Sequence, residues 1–445
     1  MVSPNTDSSE TSFVYDSKLS TVVPASITGD DKFHGLRNLD LAMKLHYIRG
    51  IYFFDKDAAN GMEIKDLKKS MFEYLKIYPA VSGRIRRTDD SEDGGSGGRA
   101  FIRCNDSGVR VVEAKCSKTI DQWLRDCSGV ANFDQLVYGR HVLGPDLGFA
   151  PLVFVQFTWF KCGGISVGLS WSHILGDTFS ATDFINKWGQ ILAEHSRHIE
   201  LPGTKNDYKF PSAIAKIPVS IKMVDPVGDY WLAISKSKMQ IHSLHLTAEK
   251  LNHLLSKASQ GSIELSAKLK PFDVISAVIW KSLAKVRSES EPKIVTICRN
   301  DPSFVRKPLS NSQVITTVEA ANLNVSEANL LELVNLIAEK QEDERRLIEE
   351  FMENDKSKSD YIMYGANLTF VDLEEAKIYD LEINGHKPVF ANYSLNGVGD
   401  EGAVLVLPGP PSNNAKEDGR MVNLILPENE VEDLKDELRK EWSLF

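Results

Sequence analysis

The sequence predicts a mixed α/β protein in two halves of similar size, and three observations carry the prediction. Short apolar runs of strand period alternate with amphipathic stretches of helical period along the chain. The chain has 445 residues, long enough for two or three cores, with 42% hydrophobic and 26% charged residues. Between the halves, "IELPGTKNDYKFPSAIAKIP" loses its periodicity and holds three prolines, the mark of a linker. The expected division is a flexible polar arm over 1–21, a domain over 22–200, a linker over 201–225 and a second domain over 226–445.

"LSTVVPASI" alternates as a strand, and "NLDLAMKLHYIRGIYFF" reads as a helix or turn running into a strand. In "EIKDLKKSMFEYLKIYPAVSGRI", Leu67, Met71, Leu75 and Ile77 share one side of an amphipathic helix that Tyr78-Pro79 stops before a strand. "TDDSEDGGSGGR" (88–99) is a loop; it lacks G-K-[ST] and opens no helix, so it is no phosphate cradle. "AFIRCNDSGVRVVEAKC" reads as a strand pair around Asn105-Asp106-Ser107-Gly108. In "APLVFVQFTWFKCGGISVGLSW", Lys161 and Gly163-Gly164 leave two runs of about ten residues where a spanning helix needs about 20, so a buried β-hairpin is expected.

"ATDFINKWGQILAEHSRH" (181–198) is an amphipathic helix. After the linker come the strand "SKMQIHSLHLT", the helix "AEKLNHLLSKAS", a buried helix "FDVISAVIWKSLAKVRS" and the strand "KIVTICRN". "SEANLLELVNLIAEKQEDERRLIEEFMEND" is a long charged-faced helix with room for a break. "NLTFV", "VFANYSL" and "GAVLVLP" are strands, and "ENEVEDLKDELRKEW" is a closing polar helix.

A net charge of −10 argues against nucleic acid or an anionic membrane as the main partner. The basic runs "GRIRR" (83–87) and "ERRLIEE" (344–350) sit among acids and read as solvated surface. Cys104, Cys116, Cys127, Cys162 and Cys298 are odd in number and scattered, which suits a reducing compartment. The polar, acidic opening segment has neither the basic flank nor the apolar core of a leader sequence.

The chemistry concentrates at "GLSWSHILGDTFSATDF" (168–184), where Asp177 follows His173 by four residues. His173 comes directly after an alternating strand, and Gly176 interrupts the following helix signal, so the histidine sits where a strand opens into a loop. A neutral imidazole placed there can take a proton from an attacking hydroxyl or amine. Asp177 can orient that ring, join a salt bridge for which Arg299 of "TICRNDP" is available, or cap the helix after it. Both a catalytic and a purely structural role fit. "GLSWS" lacks the final glycine of a nucleophile elbow, which argues against Ser170 as an acyl-enzyme serine. His242 and His245 stand three apart on a strand and point to opposite faces, a poor start for a zinc site.

"SWSHILGD", "IYPAVSGRIRR" and "VIWKSLAKVR" together resemble the BAHD family of plant acyl-CoA-dependent acyltransferases, from about Val22 to the C-terminus. Within it, "NLDLAMKLHY", "HVLGPDL", "FKCGGISVGLSW", "YGANLTFV", "LEINGHKP" and "NYSLNGVGD" are most similar to the eceriferum/Glossy wax proteins. The resemblance implies two chloramphenicol-acetyltransferase-like α/β domains with a channel between them, His173 as general base, and Asp177 turned away to pair with Arg299. It implies no tightly bound cofactor, acyl-CoA as the possible substrate, and no covalent acyl-enzyme.

Where most members carry D-F-G-W-G, the segment taken as equivalent reads Asn392-Tyr393-Ser394-Leu395-Asn396, without the acid, the tryptophan or the glycines. "YFGN" is missing near "LSNSQVITTV", and "KLKPFDV" stands where a CoA-facing Ser/Thr is common. For the wax proteins the resemblance implies a monomeric fold that works beside a β-ketoacyl-CoA synthase, the elongase condensing enzyme. The place implied is the cytoplasmic face of the endoplasmic reticulum, reached through that partner, with the cytosol as the alternative. The process implied is elongation of very-long-chain acyl-CoAs for cuticular wax, with the histidine motif dispensable.

Overall fold

The computed structural model describes residues 12–29, 31–88, 98–126, 133–139, 148–194, 217–227, 237–301, 308–339, 342–355, 359–411 and 419–444. The expected hairpin forms the centre of the N-terminal sheet. Val153–Phe160 and Ile165–Ser172 pair antiparallel, with Val153 opposite Trp171 and Trp159 opposite Ile165. All eight residues of the second strand are buried, because layers cover both faces of the sheet. The full strand order is Val14–Val22, Val109–Cys116, Val153–Phe160, Ile165–Ser172, Tyr47–Phe54 and Phe390–Asn396.

The helices Ile64–Leu75 and Thr178–Glu194 pack together beside this sheet. Leu67, Met71, Tyr74 and Leu75 are buried on the first, while Ile77 falls beyond its end. Tyr74 donates to the Phe184 carbonyl at 2.8 Å and the Trp188 indole to Ser70 Oγ at 3.0 Å, so the polar ends of buried aromatics are satisfied across the contact.

The C-terminal sheet runs Met239–Leu246, Arg420–Pro427, Ala403–Pro408, Leu368–Asp372, Ile294–Arg299 and Val314–Glu319, and the pairings of 294–299 with 368–372 and of 368–372 with 403–408 are parallel. The helix Pro271–Val286 begins on a proline, which suits the first helical position, and is buried along most of its length. It packs against Leu330–Ala338 and Glu428–Trp442. The long charged stretch is two helices, Leu330–Ala338 and Arg345–Asp355. No described helix is long and apolar enough to cross a membrane.

Several expectations change. The first strand starts at Val14, inside the stretch expected as a free arm. Most of its residues are exposed, so apolar alternation did not betray it. Ala100–Arg103 and Val109–Cys116 do not pair with each other. The first joins Phe33–Gly35 and Arg84–Arg87 in a small sheet, and the second joins the large one. Asp106 and Gly108, both at positive φ, turn the chain between the two sheets. "GRIRR" is not all solvated surface: Arg84 is buried.

The sixth strand of the N-terminal sheet, Phe390–Asn396, comes from the second half of the sequence, so the halves exchange chain beyond any single linker. Of the expected linker, 201–216 lie outside the described residues, and Lys222–Val224 pairs with Asp360–Ile362. Residues 1–11, Cys127, most of the 88–99 loop, "HVLGPDL" and the end of the 181–198 helix also lie outside them. Cys104, Cys116, Cys162 and Cys298 are free thiols.

Candidate active site at the junction of the two halves

The strand Ile165–Ser172 hands the chain to one turn of 3₁₀ helix at His173–Leu175, and the helix Thr178–Glu194 follows. Gly176 makes the bend at φ +143°. A Cβ there would lie 2.7 Å from Ser180 Oγ and 2.8 Å from the Ser310 nitrogen, so both dihedral and space require glycine. The Trp171 indole donates to the Gly176 carbonyl at 3.0 Å and fixes the bend from below.

Asp177 caps the helix. Its carbonyl accepts from the Ala181 N–H at 3.0 Å and its Oδ1 from the Ser180 N–H at 3.1 Å. Oδ2 accepts from the Ser312 N–H at 3.0 Å and the Ser312 hydroxyl at 3.1 Å, which ties the loop to the other half of the molecule. The expected Asp177–Arg299 pair is not formed. Arg299 donates to Asp273 Oδ1 at 2.7 Å and to the Ile337 carbonyl at 2.9 Å, with its guanidinium over the Phe272 ring. Asp273 lies buried in the first turn of the helix Pro271–Val286. Burial raises its pKa and Arg299 pulls the other way, so the cation is spent on the nearer buried acid.

His173 is fully enclosed. Its Nε2 lies 3.1 Å from the Tyr364 hydroxyl, and its Nδ1 is buried without a hydrogen-bond partner. Its carbonyl accepts from Asn311 Nδ2 at 3.0 Å. Burial lowers the pKa of His173, with Asp177 opposing, so the ring is held neutral. Burial also raises the Tyr364 pKa well above its usual value, which keeps that group a hydroxyl. With Tyr364 as donor, the Nε2 lone pair is occupied and the ring proton sits on Nδ1.

His46 closes the other side of Tyr364, its ring edge-on at 5.0 Å between centroids and 6.4 Å from that of His173. Its Nε2 accepts from the Met363 N–H at 3.1 Å. Burial, and then the neighbouring His173, push its pKa down to about 3. The cavity between Leu39, Met43, Cys298, Asn311, Ile315 and Tyr364 measures about 10 Å³, room for one water. Burial pushes the Cys298 thiol up to about 12, so it is no nucleophile. The arrangement holds a neutral imidazole whose Nε2 lies against the Tyr364 hydroxyl, beside a cavity with room for about one water.

Asn392-Tyr393-Ser394-Leu395-Asn396 makes no turn. It is extended and pairs with Tyr47–Ile51, Asn392 opposite Ile51 and Asn396 opposite Tyr47. The Tyr393 ring covers Gly50, and its hydroxyl bonds that of Tyr52. Asn423 Nδ2 donates to Asn392 Oδ1 at 2.7 Å, joining the two large sheets, and the Ser243 hydroxyl donates to Asn423 Oδ1 at 2.6 Å within the C-terminal sheet. A tight turn with an acid before it, as D-F-G-W-G would need, lies ten residues earlier. There Ile383 and His386 bridge, Asn384 and Gly385 have positive φ, and Glu382 precedes them.

His242 is buried and His245 exposed on opposite faces of their strand. Sequence reasoning missed Tyr364, His46, Asn311 and Ser312 as site residues. Tyr364 is 191 positions from His173 and Asn311 is 138, and no local spacing links them. The one available signal was the polar run "LSNSQ".

The Transferase family model matches residues 14–441. Protein ECERIFERUM 2 of Arabidopsis thaliana is 42% identical over 95% of this chain and 97% of its own length, and Protein ECERIFERUM 26-like of the same plant is 37% identical over 96% of each. Among solved structures, vinorine synthase superposes with a TM-score of 0.70 at 19% identity, covering 97% of this chain and 98% of that one. The F. graminearum TRI101 structure with coenzyme A and deoxynivalenol gives 0.69 at 17%, covering 93% and 98%. Those two likenesses concern the fold.

Proposed function

This chain belongs to the Transferase family, the BAHD acyltransferases, and we propose that it acts in cuticular wax formation as an accessory protein that does not use His173 for proton transfer. In this reading it works beside a β-ketoacyl-CoA synthase at the cytoplasmic face of the endoplasmic reticulum and promotes elongation of very-long-chain acyl-CoAs. Similarity to ECERIFERUM proteins over nearly the whole chain supports the process. The observation that carries the non-catalytic part is the closed site: His173 Nε2 bonded by Tyr364 beside a cavity the size of one water. A general base must come within hydrogen-bond reach of the proton it takes, and this ring nitrogen already has its partner.

Co-expression in yeast with a plant β-ketoacyl-CoA synthase tests the proposal. Longer acyl chains are expected only when both proteins are present. An unchanged acyl profile with both proteins expressed would overturn it.

One observation favours a second reading, acyl transfer to an alcohol or amine. His173 is neutral, the form a base requires. The imidazole would take the acceptor's proton as its oxygen or nitrogen attacks the thioester carbonyl, and CoA would leave as the thiolate and be protonated to the thiol. Tyr364 would first have to leave Nε2. Acyl transfer by the purified protein that is lost in His173→Ala would establish this reading.

A further inference from the structure

The cavity beside His173 has walls of two kinds. Cys298 and Ile315 stand opposite each other on paired strands, and Tyr364 is fixed next to the close crossing of Gly365 and Gly399. Leu39 and Met43 belong to no sheet. They come from the helix Asn38–Ala42 and the residue after it. Five residues cannot keep a helix formed by themselves, so this wall depends on what lies over it.

Over it lies the helix Arg345–Asp355 of the other half, which packs chiefly on Asn38–Ala42. Of its 11 residues only Ile348 and Met352 are buried, and the rest of its attachment is polar. Glu349 accepts from the Asn38 N–H at 3.0 Å and from the Leu39 N–H at 3.2 Å, one carboxylate oxygen to each, so it takes donors that the short helix leaves free at its start. The Asn38 side chain donates back to the Glu349 carbonyl and to Glu353 Oε2, both at 2.9 Å. Arg37 closes the same corner, donating to Asp40 Oδ1 at 3.1 Å and to the Asn311 carbonyl at 2.9 Å. The flanks of the covering helix are fastened to the connector between the halves. Glu344 Oε2 accepts from the Val219 and Ser220 N–H groups at 3.0 and 2.9 Å, while Asp360 accepts from the Val227 N–H at 2.7 Å and pairs with Lys44, next to Met43.

We propose that the helix Arg345–Asp355 is a lid over the His173 cavity, latched by Glu349, and that its release lets the Leu39–Met43 wall part and opens a route to His173. A wall held by carboxylates on backbone N–H groups opens at lower cost than one held by sheet pairing. Water replaces each polar bond as it breaks, whereas parting the strands exposes the apolar core with them. Access to His173 is thereby governed by a surface helix of the other half, and the proposal holds whether or not His173 transfers a proton.

Cys298 reports the opening, since it lines the cavity and its thiol is buried and free. The full-length protein is treated with N-ethylmaleimide under native conditions, and each cysteine is followed by peptide mass spectrometry. Cys298 of the wild type should react slowly. Glu349→Gln keeps the length of the side chain but leaves a carbonyl for only one of the two N–H groups, so it should speed Cys298 roughly tenfold while Cys104 and Cys116, buried in the N-terminal half, stay as they were. Glu350→Gln, whose carboxylate pairs with Arg346 on the same helix, should change nothing. Hydrogen exchange of the wild type needs no variant: the amides of 38–43 and 345–355 should open together, ahead of those of the strands Ile165–Ser172 and Ile294–Arg299. An unchanged Cys298 rate in Glu349→Gln, equal acceleration of all three buried thiols, or protection of 38–43 as high as that of the strands would overturn the proposal.

Discussion

Tyr364→Phe tests the closed site by removing one oxygen. The hydroxyl lies 3.1 Å from His173 Nε2, and both side chains are fully buried around a cavity with room for one water. Losing a neutral hydrogen bond and leaving the imidazole nitrogen unpaired costs about 1–3 kcal/mol. A water entering the vacated space brings the cost towards the lower end, about 1 kcal/mol. In a His173→Ala background the same substitution should cost nothing, because the tyrosine hydroxyl has already lost its partner. The coupling between the two changes is therefore expected at about 1–2 kcal/mol. Urea unfolding of wild type, both single variants and the double variant measures it. Effects that add within about 0.5 kcal/mol would refute the idea that Tyr364 holds the imidazole.

Three further outcomes follow from the geometry. His46 stays neutral in the folded state to about pH 3 and takes a proton near pH 6.5 once unfolded, so below 6.5 the unfolded state binds the extra proton and stability falls with pH. The loss should be about 2 kcal/mol between pH 7 and pH 5, with His173 adding in the same direction; a His46→Gln protein that keeps the full slope in urea midpoints would contradict this. In Gly50→Ala the new Cβ meets Tyr393 Cζ at 2.7 Å, and that ring is pinned by its bond to Tyr52, so a loss of roughly 1–3 kcal/mol in thermal unfolding is expected and an unchanged midpoint would count against it. Arg299→Leu leaves Asp273 buried without its cation, costing roughly 2–4 kcal/mol. Adding Asp273→Asn should restore much of that in the same assay, whereas no recovery would mean that Arg299 serves another acid.

The central hairpin was legible because two apolar runs met at a glycine turn, and His173 was legible because its strand ended in a glycine-broken loop. The cap by Asp177 was readable as one of three roles. That Arg299 would pair with Asp273 and not with Asp177 was not readable, because charge type says nothing of distance. "VFANYSL" reads as a strand from its own residues, but which sheet it joins depends on where the rest of the chain leaves an open edge. Tyr364 was hidden for a similar reason. Its approach to His173 follows from the close crossing of Gly365 and Gly399, where a Cβ on Gly365 would fall 2.4 Å from the Gly399 carbonyl oxygen. That is a long-range contact with no local period.

The central claim is that elongation does not need a base at His173, and His173→Gln tests it most directly. A glutamine has no imidazole to take the proton and keeps an amide able to bond the Tyr364 hydroxyl, so it separates chemistry from packing. In yeast expressing the condensing enzyme and equal amounts of either protein, the acyl-chain profile made with His173→Gln is expected to match that made with wild type. A profile returned to that of the condensing enzyme alone, with the variant folded and present, would contradict the account.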